Sequence, residues 1–305
     1  MRFLLVGQAV ADLVVRPVDR FPWREHTEIV EEVGLFPGGC TLNTALALRK
    51  LGFRPDLVVR VGGDALGEFL MEEIRRAGLS TNWVTMGGRT SVCLVLVGSD
   101  GKRSFLYAPR ASEELLIEDV PEDLRRWDWV HASGVMKAVH MDWAELFWRA
   151  KAWGAYTSVG VEYDPGGRWA ERIRGFLPHL DYLFLNRFEG EQITGEREPE
   201  DMAEILRSWG VGAVLITLGR DGCYVAGEEE GYVRGFEVEE VDGTGAGDAF
   251  VAGFLAARAR GWELTDSARV ANACGALAVG TVGATAGVRG WEETIRWMRS
   301  REDVR

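Results

Sequence analysis

The chain opens with an unbroken apolar run, Phe3 to Gly7, which predicts a strand buried on both faces. Farther on, Thr27 to Leu35 places Ile29, Val33 and Leu35 on one side, the period of a half-exposed strand. Ser91–Val97 and Arg103–Tyr107 flank Ser99, Asp100, Gly101 and Lys102, and an Asp-Gly between two β-rich runs predicts a hairpin. Elsewhere the period alternates between strand and helix. Leu42, Ala45, Leu46 and Leu48 follow a helical spacing that stops at Gly52, and a strand at Val58–Val61 precedes a helix over Glu68–Ala77. Trp129–Ala132, Thr157–Tyr163, Tyr182–Leu185, Val214–Leu218 and Cys223–Ala226 read as strands; the stretches around Trp143–Trp153 and Ser267–Val279 read as helices. Such alternation predicts a layered α/β/α domain on a mainly parallel sheet. The half-exposed pieces break the alternation and are expected to form a small separate sheet, with segments of about 13–36 and 89–109, inside a single domain spanning residues 1–305.

Composition narrows the function. With 47% hydrophobic residues the chain can bury a full core, and no stretch of 18 apolar residues suggests a membrane span. The 35 basic against 47 acidic residues give a net charge of −12, which argues against nucleic acid as a partner. Cys40, Cys93, Cys223 and Cys274 lie far apart among small or apolar neighbours, as expected of free thiols in a reducing cytoplasm. His26, His131, His140 and His179 are equally scattered, so no metal site of His and Cys is expected. Lysine is scarce (Lys50, Lys102, Lys137 and Lys151), and none stands out as catalytic. The start, MRFLLVGQAVADLVV, lacks a convincing cleavage site and reads as a first strand rather than a signal peptide.

The chemistry concentrates at VDGTGAGDAF, Val241 to Phe250. Gly243, Gly245 and Gly247 allow a tight turn and bare backbone N–H groups, and a helix is expected to begin there. A helix N-terminus attracts anions, so Asp248 in its first turn would repel a phosphate unless it serves to take a proton from an attacking hydroxyl. The plain alternative is an acidic cap on a glycine-rich turn. Asp12 follows the first strand at its carboxyl end, where α/β sheets bind ligands. Gly38 and Gly39 open a helix that carries Asn43 one turn inside, a side chain suited to sugar hydroxyls. Asn186 and Glu189 follow the strand at Tyr182–Leu185, and their spacing also suits a capping box. TLGRDG, Thr217 to Gly222, forms a turn between two strands.

The stretch Asp242–Phe250 resembles the C-terminal signature of the ribokinase-like (PfkB) family of sugar and nucleoside kinases, and Gly38–Gly52 resembles the N-terminal one. The resemblance covers nearly the whole chain with both signatures in order. It implies a ribokinase-like α/β/α fold whose small sheet is a lid that can pair with a second copy. It further implies Asp248 as catalytic base, with the backbone of Gly245, Ala246 and Gly247 as the anion hole. Asp12, Gly38, Gly39 and Asn43 would contact a sugar or nucleoside. From their own place by the hairpin, Tyr107 and Arg110 are within reach of its polar end, with a solvated loop residue the equal alternative for Arg110. Asn186 and Glu189 would hold Mg2+ and phosphates; Thr217, Gly219, Gly222 and Asn272 would line the ATP site. Asp242 and Thr244 with the loop at Thr281 and Gly283 would bind a monovalent cation such as K+. Gly160 and the DPGGRW stretch, Asp164 to Trp169, depart from the pattern at the substrate side.

The reading that follows is an ATP-dependent kinase acting on a hydroxyl. A catalytically silent sugar-binding protein on the same fold is the alternative, disfavoured by the intact Asp248 loop. A nicotinamide dehydrogenase lacks its fingerprint, since Gly7 stands alone, and no GxxxxGK[ST] loop supports a P-loop kinase.

Overall fold

The N-terminal run becomes β1 (Phe3–Gln8), with all six residues buried. The reason for its unbroken hydrophobicity is that it lies between two apolar layers: Phe3 and Leu5 belong to one, Leu4 and Val6 to the other. The computed structural model describes residues 1–20 and 27–302; residues 21–26 of the expected lid segment, His26 among them, lie outside the described residues.

In chain order the remaining strands are β2 (Val10–Arg16), β3 (Glu32–Gly38), β4 (Asp56–Val61), β5 (Val84–Met86), β6 (Val92–Val97) and β7 (Arg103–Ala108). They continue as β8 (Trp129–Ser133), β9 (Tyr156–Gly160), β10 (Tyr182–Asn186), β11 (Ala213–Thr217), β12 (Gly222–Ala226) and β13 (Glu230–Arg234). Together with β1, eight of them form one sheet in the order β13-β12-β11-β10-β9-β8-β1-β4-β5. Pairing is parallel from β11 through to β5, while β12 and β13 are antiparallel. Helices Cys40–Lys50, Ala246–Arg258 and Leu264–Val279 cover one face, and Trp143–Ala152 and Pro199–Ser208 the other. At Gly253 a Cβ would lie 2.7 Å from Cys274 Sγ, so this glycine sets the close approach of two helices in the first layer. The expected α/β/α architecture is present, and among the described residues no helix is long and apolar enough to cross a membrane.

The small sheet is also present, in the order β3-β2-β6-β7. Its composition differs from the expectation in two respects. Asp12, expected just after the first strand and outside the lid segment of about 13–36, lies inside β2, opposite Phe36 of β3 and Cys93 of β6. Only Ala9 separates β1 from β2, so the chain passes from one sheet to the other almost without a loop. The second strand runs Glu32–Gly38 rather than Thr27–Leu35, and its Pro37 is tolerated because β3 is an edge strand. In the large sheet, β9 ends at Gly160 instead of continuing to Tyr163.

Candidate active site

The sheets meet above the N-terminus of helix Ala246–Arg258. Gly245 caps it with a φ of +74°, and a Cβ there would lie 2.2 Å from the carbonyl oxygen of Ala284, so conformation and space both demand glycine. Asp248 sits in the first turn, with Gly247 beside it facing open space. The first-turn amides of such a helix have no intrahelical acceptors. Asn43 Nδ2 donates to Asp248 Oδ2 at 2.9 Å across 205 residues of sequence. Burial pushes Asp248 up to about 7; hydrogen bonds from Asn43 and Cys40 oppose this, and the charge of Glu162 adds to it. Asp12 is likewise pushed to about 7, by burial first and then by the charge of Asp248. Gly38 lets Asp12 lie against the backbone, since a Cβ there would be 2.0 Å from Asp12 Oδ2. Gly39, at φ +89°, caps helix Cys40–Lys50 and so aims Asn43 into the site. Asn43 Oδ1 is buried with no partner among the described residues, an acceptor left open beside Asp248.

Behind this pair lies a polar group that the sequence did not reveal. Lys137, in the loop after β8, lies within electrostatic reach of Asp248, Cys40, Glu162 and Glu189, lowering each of their pKa values. Its Nζ is 5.4 Å from the centre of the Tyr107 ring, whose hydroxyl accepts a 3.2 Å hydrogen bond from Gln8 Nε2. No spacing rule marks a single lysine in an irregular loop, so only the fold identifies it. Glu162 is buried and accepts from the amides of Gly134 (3.1 Å) and Met136 (2.7 Å). In the DPGGRW stretch, Asp164 accepts from the amides of Gly166, Arg168 and Trp169 and so organises its own loop. Arg110 is exposed, at φ +40°, just beyond β7.

A second recess, an open cleft of about 430 Å³, lies at the carboxyl ends of β10 and β11. Asn186, Thr217 and Gly219 line it, with Phe188 and Tyr232. Gly222 and Asn272 are not among its lining residues: a Cβ on Gly222 would lie 2.1 Å from Val233 O, and Asn272 Nδ2 donates to Val233 O and Arg234 O. Both therefore tie down β13 beside the cleft. Asn186 and Glu189 form the capping box: Asn186 Oδ1 accepts from Glu189 N at 2.9 Å, and Glu189 Oε2 from Asn186 N at 2.8 Å. Glu189 is nonetheless pushed up to about 8, chiefly by burial and further by the charge of Glu162. Two buried carboxylates within reach of each other suit a hydrated divalent cation, although among the described residues no group of three or more metal-ligating side chains is present.

Asp242, Thr244 and Gly283 come together as expected. Asp242 Oδ1 accepts from Thr244 N (2.9 Å) and Thr244 Oγ1 (2.6 Å), and Oδ2 accepts from Gly283 N (2.8 Å). Burial would raise Asp242, but these hydrogen bonds prevail and hold it below the usual carboxylate range. Thr281 is exposed at the start of the same loop. A partner from the small sheet completes the cluster: Arg103 Nη1 pairs with Asp242 Oδ1 at 2.6 Å and also hydrogen-bonds Thr244 Oγ1.

Residues 2–289 match the model of the pfkB family of carbohydrate kinases. An ATP-dependent ribose-1-phosphate kinase from Halopiger xanaduensis is 32% identical over 290 residues, covering 93% of this chain and 94% of the relative. A 2-dehydro-3-deoxygluconokinase from Bacillus subtilis is 26% identical over 283 residues, 87% of each chain. Among solved structures, a putative ribokinase II from E. coli in complex with ATP and Mg2+ superposes with a TM-score of 0.85 at 21% identity, covering 98% of this chain and 99% of that one, a likeness of fold. Together with the Asp248 loop, the family match extends across both sheets, and the chain belongs to the pfkB family of carbohydrate kinases.

Proposed function

We propose that the protein transfers the γ-phosphoryl group of ATP to a hydroxyl of a small sugar, sugar acid or nucleoside, with Asp248 as the general base. The observation that carries this is the desolvated Asp248 carboxylate in the first turn of a glycine-capped helix, held by Asn43 and set beside Asp12. A carboxylate with a pKa of about 7 is well matched to proton abstraction near neutral pH. Asp12 and Asn43 orient the acceptor hydroxyl. As it attacks, Asp248 takes its proton, and the amides around Gly245, Ala246 and Gly247 face the charge that develops on the transferred group. Lys137 steadies the surrounding carboxylates by its charge. ATP fits the cleft at Asn186, Thr217 and Gly219. Mg2+, held near Asn186 and Glu189, supplies charge neutralisation to the phosphates when bound.

The small sheet acts as a lid that excludes water. Its exposed Val33, Phe36, Phe105 and Leu106 suit pairing with a second copy. The substrates in the names of the two relatives differ, one a sugar phosphate and the other a sugar acid, so the acceptor is to be found by trial. The experiment is ADP release across pentoses, hexoses, 2-keto-3-deoxy sugar acids, sugar phosphates and nucleosides. Acceptor-dependent ADP release supports the proposal. Saturable sugar binding with no ADP release from any member would favour the silent binding protein instead.

A further inference from the structure

The seat that the family resemblance gives to a monovalent metal is engaged by an arginine. We propose that the guanidinium of Arg103 is a built-in cation, delivered by the lid hairpin to Asp242 and Thr244, and that the protein therefore works without K+ or a similar ion at this place.

Three observations lead there. The first is charge: Asp242 and Arg103 are both largely enclosed, 17% and 18% exposed, and paired at 2.6 Å, so each compensates the other's desolvation. The same Oδ1 and the Thr244 hydroxyl are both turned on the guanidinium. The remaining carboxylate oxygen takes the Gly283 amide, a donor that no cation replaces.

The second is space. Gly243 is not among the glycines with positive φ, so its backbone does not require glycine. A Cβ at this position would, however, lie 2.8 Å from Arg103 Nη2. Glycine thus leaves room for the ends of both Arg103 and Glu240.

The third is connectivity. Arg103 is the first residue of β7, paired with Val97 across the hairpin, so it belongs to the small sheet. Asp242 and Thr244 lead directly to Gly245, where the phosphate-facing helix begins. A cation fixed to the lid thus orders this loop only when the lid is down, whereas a free ion would do so at any time. Arg103 is a positioning residue in this account, acting on the anion hole through Asp242 and Thr244.

The test compares wild type, Arg103→Ala and Arg103→Lys in K+, Na+ and tetramethylammonium chloride at one ionic strength, reading both turnover and Tm. The turnover arm rests on the kinase reading above; the Tm arm does not, so their failures are distinguishable. Wild type is expected to show equal turnover and equal Tm in all three salts. In tetramethylammonium, Arg103→Ala should lose turnover by about tenfold, the equivalent of one charge-assisted hydrogen bond. Potassium should restore part of that loss and raise the Tm of this variant alone, by filling the vacated oxygens. Arg103→Lys keeps the charge and should stay insensitive to the salt. A wild type whose turnover or Tm rises specifically with K+ would overturn the proposal, and so would an Arg103→Ala variant indifferent to the cation in both readouts.

Discussion

The half of the site under the small sheet and the half at the ends of β10 and β11 hold their polar groups in opposite ways. Under the small sheet, Asp12 and Asp248 are drawn out of water with their charges adjacent, and burial raises both to about 7. In the cleft beyond, Phe188 and Tyr232 are more than half exposed, and the lining at Thr217 and Gly219 offers mostly backbone and small side chains. Desolvation costs free energy and shifts proton affinity; it acts on Asp12 and Asp248 and again on Glu189 beside the cleft, but not on the cleft's exposed walls. A nucleotide that must enter and leave needs shape and modest contacts instead. On the proposed function, the first half serves the chemistry and the second the exchange of nucleotide.

The comparison breaks most readily at Asp248. Asp248→Asn keeps the helix start but can neither carry charge nor accept a proton, and it should slow the chemical step by about 10²–10⁴, the range for loss of a general base. ATP affinity, read by calorimetry, should hold or improve. The same variant should be more stable than wild type at pH 8. The sign follows from linkage: with its folded pKa raised to about 7, Asp248 binds a proton more readily in the native state than in the unfolded one. Stability therefore falls as pH rises from about 4 to about 7, and an amide escapes that loss. Thermal melts at pH 5 and pH 8 read this directly.

On the exchange side a smaller effect is expected. Tyr232→Ala removes a half-exposed ring from the cleft wall and should raise the KM for ATP by about twofold to tenfold with kcat little changed, the scale of one aromatic contact. A matching loss of kcat would mean that the two halves are not separable. Smaller still is the lid response: backbone hydrogen exchange over residues 32–38 and 92–108 should slow a few-fold (about 2–5) when the acceptor binds, as expected of a low-stability element that closes over a ligand. Unchanged exchange there, with ADP release intact, would remove the lid from the account.

What the sequence disclosed follows the same division. The parallel core was legible because β1, β10 and β11 lie between two apolar layers and carry nearly continuous hydrophobic runs. The Asp248 loop was legible because its glycines and its carboxylate are neighbours in the chain. Asp12 was placed near the ligand edge but not within β2, because a strand that follows another after one residue shows no turn signal. Asn186 and Glu189 fit a cap and a cation site equally well by spacing, and the capping box is realised. Lys137 and Arg103 were out of reach. Arg103 meets Asp242 across 139 residues, and no local period encodes such a meeting. Gly243, read as part of a tight turn, has no positive φ and leaves room beside the ends of Arg103 and Glu240.

The central claim is that burial tunes Asp248 into a base near neutrality and that its charge is coupled to that of Asp12, and the pH dependence of kcat/KM tests it most directly. In wild type the rate should fall about tenfold per pH unit on the acid side of a midpoint near 7, because only unprotonated Asp248 accepts the hydroxyl proton. Asp12→Asn removes the like charge and should move that midpoint to lower pH, even as it weakens acceptor binding. A wild-type profile flat from pH 5 to 8, or a midpoint unmoved by Asp12→Asn, would contradict the account.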